Sequence, residues 1–161
     1  MGSQRMKAVL DAGPIIHLEQ INKLEILEVI DQGYITEEVK NEVGEDIINK
    51  TRLDIETLNA SSKDKSKHIS SKYGIDLGES TAIALSTQIN SELIFTDDLE
   101  ARKAAKSLDL EPHGTLALVT KAYSENVIDK NEANQIVDSL YRDSSLFITK
   151  DLVKWTKEQI N

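Results

Sequence analysis

Short apolar runs alternate along the chain with longer stretches in which apolar residues recur every three or four positions. "KAVL" (7–10) reads as a buried strand. Pro14 sits where a helix begins, because its missing N–H would have no intrahelical partner there anyway. In "IIHLEQINKLEILEVI" (15–30), Ile15, Leu18, Ile21, Leu24 and Leu27 form a helical stripe that Asn22 divides into two short helices. "GYIT" (33–36) reads as a second strand. Thr36 is placed to cap a helix with Glu37 and Glu38 in its first turn and Val39, Val43 and Ile47 inward. "RLDIETL" (52–58) alternates apolar and polar positions, as a half-buried strand does. "NASSKDKSKHISSKYG" (59–74) is polar and rich in serine and lysine, and reads as a loop with a short exposed helix.

The second half is more strongly patterned. "LGESTAIALSTQI" (77–89) predicts a helix with Ala82, Ile83, Leu85 and Ile89 inward. A strand over 93–96, a helix over 98–108 and a short extended "LEPHG" follow. "TLALVTKAYSENVI" (115–128) predicts a helix capped by Thr115. The tail, 130–160, holds two more helical patterns around "FIT", with Thr149 as the last N-cap and Trp155 on that helix's face. No repeat, low-complexity tract or boundary divides the chain, so one domain over 1–161 is expected. "MGSQR" (1–5), native or a remnant of cloning, stands outside the pattern. Strands alternating with helices predict an α/β fold whose parallel sheet has helices on both faces. In such folds, sites lie beyond the carboxyl ends of the strands.

Composition narrows the chemistry. A chain of 161 residues, 39% hydrophobic and 29% charged, suits one soluble domain with one core. Having no cysteine removes disulfides, thiolate metal sites and cysteine nucleophiles. No apolar run approaches the length of a membrane helix and no signal-peptide pattern is seen, so a cytoplasmic protein with no membrane partner is expected. The net charge of −9 argues against a general nucleic-acid coat, which needs a basic face for phosphates. The 28 acidic residues either keep the surface solvated or, in part, converge on a cation.

Several nucleotide and hydrolase sites are excluded. The glycines form neither GxGxxG nor a phosphate loop, and there is no HExxH and no Gly-x-Ser-x-Gly elbow. An aspartyl-phosphate arrangement fails because Gly13 occupies the place of its second acid. Carboxylates at strand ends and helix starts remain. Asp11 follows the first strand, Asp97 and Asp98 follow the run "LIF", Glu42 lies on the helix after the second strand, and Glu79 opens the 77–89 helix. If Asp11, Glu42, Glu79 and Asp98 converge, they repel one another and raise their own pKa values unless a cation is present. Hard oxygen donors suit Mg²⁺ or Mn²⁺, which can activate water and stabilise a leaving oxygen in phosphodiester cleavage.

"VLDAGPIIHL", "ITEEVKNEV", "LGESTAIALS" and "IFTDDLEARKAA" resemble, in that order, the four acidic motifs of PIN-domain nucleases, a family that includes the VapC-type toxin ribonucleases. The likeness runs from residue 7 to about 125. It extends to a branch of compact prokaryotic PIN-like proteins that share the "DAGP" opening, "GE" in the third motif and "DD…AR" in the fourth. The resemblance implies a three-layer α/β/α sandwich, a parallel sheet of about five strands in the order 3-2-1-4-5, and a metal-dependent ribonuclease site. Carried over by position, Asp11, Glu42, Glu79 and Asp98 are the catalytic and metal-binding acids. The family's threonine, small polar residue, aspartate pattern selects Asp98, with Asp97 assisting as an extra acid. Glu79 stands where aspartate is common and reaches one methylene farther. The segment from 126 onward is a helical extension with no catalytic motif. A homodimer is also implied.

Each of these residues has a plainer alternative. Asp11 can cap the turn at Pro14, Asp98 can cap the 98–108 helix, and Glu79 suits any helix N-terminus. Glu42 competes with Glu37, Glu38 and Glu45 on a solvated face. Thr96 either holds a ligand carboxylate or ends its strand; Arg102 either orients Asp98, grips a phosphate or forms an ordinary i,i+4 pair. His17 reads as a core or supporting histidine. Lys63, Lys65, Lys67 and Lys72 either guide RNA or face solvent. Three functions are therefore carried: a Mg²⁺- or Mn²⁺-dependent ribonuclease acting on RNA, a silent PIN-like module that binds a protein partner or metal, and a toxin held by an antitoxin.

Overall fold

The computed structural model describes residues 5–160; most of the "MGSQR" stretch, residues 1–4, lies outside the described residues. Five strands form one parallel sheet: β1 (Lys7–Leu10), β2 (Gln32–Ile35), β3 (Asp54–Ile55), β4 (Leu93–Phe95) and β5 (Glu111–His113). Their order is β3-β2-β1-β4-β5, as expected. β1 occupies the centre, with Val9 opposite Tyr34 on one side and Ile94 on the other. The helices are α1 (Ala12–Gln20), α2 (Glu37–Val43), α3 (Glu45–Ile48), α4 (Ala60–Tyr73), α5 (Leu77–Gln88), α6 (Leu99–Ser107), α7 (Thr115–Ser124), α8 (Lys130–Asp143) and α9 (Lys150–Ile160). A 3-10 helix spans Leu24–Val29.

The sheet separates two apolar cores, because successive strand residues point to opposite faces. Ala8, Leu10 and Phe95 join one core with α1, α7, α8 and the 3-10 helix. Val9 and Ile94 join the other, with α4, α5 and α6. This is the three-layer α/β/α sandwich. Asn22 has φ 58° and ends α1's stripe, so the two-helix reading of 15–30 holds.

Three elements differ from the pattern. The helix expected to run on through Ile47 breaks at Gly44, whose φ of 104° no side-chain-bearing residue adopts easily, and restarts as α3. The strand expected over 52–58 pairs only at Asp54–Ile55, on the sheet's edge. The stretch 59–74, read as mostly loop, is the fourteen-residue helix α4. Asn59 caps α4 through the Ser62 N–H, and the inward face is Ser62, Ser66 and Ile69. Two of those three are serines, so no apolar stripe was visible. Lys63, Lys65, Lys67 and Lys72 face solvent on it.

Candidate active site

The carboxyl ends of the central strands deliver the first acids. β1 ends at Leu10, and Asp11 caps α1, its Oδ1 accepting from the Ala12 N–H at 2.8 Å. The Asp11 N–H donates to the Phe95 carbonyl at 2.9 Å, which locks it to the end of β4. Thr96, the next residue of that chain, donates its hydroxyl to Asp11 Oδ2 at 2.9 Å. Asp11 is therefore held by two neighbouring strands and is only 6% exposed. Asp98 caps α6 through the Ala101 N–H at 2.8 Å. For Asp11 and Asp98 the capping role and the site position coincide.

The remaining acids come from helices. Thr36 caps α2 through the Val39 N–H, and its hydroxyl meets that of Thr81 on α5 at 2.9 Å in the interior. This pins α2 to α5, and Glu42 and Glu79 enter the same cleft. A fifth carboxylate, Asp76, was not singled out from the sequence. It forms a capping box with Glu79: its Oδ1 accepts the Glu79 N–H at 2.8 Å, and Glu79 Oε2 accepts the Asp76 N–H at 3.0 Å. The signal was present as an acid three residues before a glutamate at a helix start. Gly78 sits at the focus. A Cβ there would lie 2.8 Å from Glu42 Oε1, 3.5 Å from Asp76 Oδ1 and 3.7 Å from Asp11 Oδ1.

The electrostatics follow from this crowding. Among the described residues, no cationic side chain pairs with Asp11, Glu42, Asp76, Glu79 or Asp98. Burial pushes Asp11 up to about 6, reinforced by the charges of Asp76 and Glu42 and opposed by its two hydrogen bonds. Burial pushes Glu79 up to about 7, with the charges of Asp76, Asp98 and Asp11 adding to it. Glu42, at the cleft's rim, is raised by partial burial and by Asp76. All-oxygen donors that resist ionisation beside one another fit a hard divalent cation. Among the described residues, no three His, Asp or Glu side chains are yet drawn close enough together to hold one. Glu79 in particular is turned back into its capping box.

Asp97 is placed differently. His17 Nδ1 donates to its Oδ2 at 2.6 Å, the Thr115 N–H to Oδ1 at 2.7 Å, and the Thr115 hydroxyl to Oδ2 at 2.5 Å. Burial raises its pKa, but the hydrogen bonds from His17 and Thr115 outweigh burial and hold the carboxyl below its usual range. Asp97 thus joins α1 and the start of α7 to the end of β4. It also supplies the cap at α7 expected of Thr115, which is instead the helix's first residue. Arg102, expected beside Asp98, turns the other way: its Nε donates to the Thr96 carbonyl at 2.9 Å and its Nη2 lies 3.7 Å from Asp97 Oδ1.

The cleft that holds these groups has a volume of about 900 Å³. Beyond the acids it is walled by α7, by the linker after α8 and by α9, which contribute Leu116, Phe147, Leu152 and Trp155. None of the α4 lysines lines it. Among the described residues, no helix is long and apolar enough to cross a membrane.

A family model described as a PIN domain matches residues 7–161, including the C-terminal helices α8 and α9. No curated protein and no solved structure gives a significant match. With the sheet order and the match along nearly the whole chain in agreement, this protein belongs to the PIN-domain family, whose members are generally nucleases.

Proposed function

We propose that the chain is a Mg²⁺- or Mn²⁺-dependent endoribonuclease whose acids are Asp11, Glu42, Glu79 and Asp98, with Asp76 as a further carboxylate. The observation that supports this most is the set of oxygens of Glu42, Asp76 and Asp11 around Gly78, three carboxylates that have no cationic partner among the described residues. A divalent ion there would supply water activation and charge stabilisation at the leaving oxygen of the phosphodiester. The protein's part is to hold Asp11 fixed through Thr96 and Ala12, to present Glu42 by way of the Thr36–Thr81 contact, and to release Glu79 from its cap. Asp97 serves as the clamp that seats α7 beside the site, rather than as a ligand.

The test is cleavage of a labelled single-stranded RNA with Mn²⁺, with EDTA, and by Asp98→Asn protein. Asparagine caps a helix as well as aspartate does, so the fold is kept while an anionic donor is lost. Cutting that requires metal and disappears in the variant is the expected result. Equal, weak cutting by both proteins would instead favour a second reading, a PIN-fold binding module. One observation speaks for that alternative: Glu79 is engaged in its capping box rather than turned toward the other acids. Expression separates a toxin role from a housekeeping one. Growth arrest relieved by Asp11→Asn, and by a co-expressed antitoxin partner, marks the toxin. Sedimentation tests the homodimer that the family likeness implies.

A further inference from the structure

The apolar wall of the cleft has no part in the chemistry above, yet it is unusually exposed. Phe147 is 90% exposed, Trp155 56% and Leu152 39%, and all three line the same cleft as Asp11 and Asp98. Scattered exposed apolar residues are ordinary, but three large ones lining one cleft together with a set of carboxylates are not.

Phe147 is held out by its surroundings. Its neighbour Leu146 is buried in the core and Ile148 packs against the same core. Ser145 donates its N–H to Gln20 Oε1 at 2.7 Å, tying the linker to α1. Thr149 then caps α9 through the Leu152 N–H at 3.1 Å. The ring therefore projects from a linker fixed on both sides. α9 in turn packs on α7 and α8, and α7 begins at Thr115, where Asp97 holds it beside the acids. The aromatic wall and the carboxylates are thus set in one frame.

We infer that Phe147 and Trp155 form a stacking platform for an unpaired base of single-stranded RNA, placed so that the adjoining phosphodiester reaches the carboxylates. This rests on the nuclease reading of the site. Bases of single strands stack on planar aromatic side chains without sequence preference, because every base has a π-face. A second copy of the chain fits this face less well, since it would bring together two acidic clefts of a chain with net charge −9. An RNA strand is also negative, but its phosphates are the groups that a bound divalent ion would draw in. Its bases are the uncharged part left to meet the wall.

Trp155 is the chain's one tryptophan, so its fluorescence reports on this wall directly. The wild-type protein with Mg²⁺ is titrated with a single-stranded phosphorothioate oligoribonucleotide, with its duplex, and with an abasic strand of equal length. Saturable quenching by the single strand alone is expected. Phe147→Ala should weaken that binding by about tenfold and raise KM more than it lowers kcat, while Phe147→Tyr should restore both. Equal quenching by the abasic strand, or unchanged affinity in Phe147→Ala, overturns the inference. So does a dimer that dissociates in Phe147→Ala while RNA affinity is unaffected, which would assign the face to a second copy. Cleavage without base-dependent quenching would remove the platform alone. Base-dependent quenching without metal-dependent cleavage would remove the nuclease reading alone.

Discussion

Adjacent aspartates at 97 and 98 have opposite circumstances. Asp97 accepts three hydrogen bonds and its pKa is held down. Replacing it with asparagine would set an NH₂ against at least one donor in the interior. We expect Asp97→Asn to cost about 3 kcal/mol of stability, measured by urea unfolding at pH 7, with His17 losing its partner. Asp11 shows the reverse balance. Its folded pKa, about 6, lies above the ordinary aspartate value, so the folded state binds a proton that the unfolded chain releases. Metal-free stability should therefore fall as pH rises from about 4 through 6, and Glu79 should extend the decline to about 7. Asp11→Asn removes its share: the metal-free variant should be more stable than wild type at pH 8, by about 1–3 kcal/mol, and similar at pH 4. Thermal unfolding in EDTA at the two pH values checks this. A variant less stable at pH 8 would mean that Asp11's hydrogen bonds dominate its charge.

Among the elements, α5 bears most directly on the site, because Gly78 leaves the gap around which the acids gather. Gly78→Ala should keep the helix, since the nearest obstruction is the movable end of Glu42. The displaced carboxylate should then lower metal affinity, seen as loss of Mn²⁺-induced stabilisation in thermal shift. The elements also show what sequence pattern can and cannot reveal. β1, α5, β4 and α6 were legible because their buried positions are apolar at the spacing of a strand or helix. α4 was not, because Ser62 and Ser66 are small enough to pack inward while reading as polar. Glu42, Glu79 and Asp98 could be named from their motifs; Asp76 was legible as the cap of α5, but its nearness to Asp11 and Glu42 shows only once α5 is set beside α1 and α2. The direction of Arg102 depends on the position of the Thr96 carbonyl, which no spacing along the chain discloses.

For the whole molecule, α8 and α9 complete one core rather than decorate it. Ile136, Leu140, Leu146 and Ile160 are all buried in the core that also holds α1 and α7. A chain ending at Thr149 would uncover that surface. It should lose at least about 3 kcal/mol of stability and bind hydrophobic dyes, because burying one such side chain is worth about 1.5–3 kcal/mol. The exposed face of α9, by contrast, should tolerate substitution at Trp155 without change in melting temperature. The central place of β1 also has a consequence for synthesis. Asp11 emerges early from the ribosome, but its anchors, Phe95 and Thr96, and its companions, Asp76, Glu79 and Asp98, follow much later. A nascent chain therefore cannot gather these carboxylates until most of its length is out, so whatever the assembled cleft does is withheld from the ribosome's surroundings during synthesis.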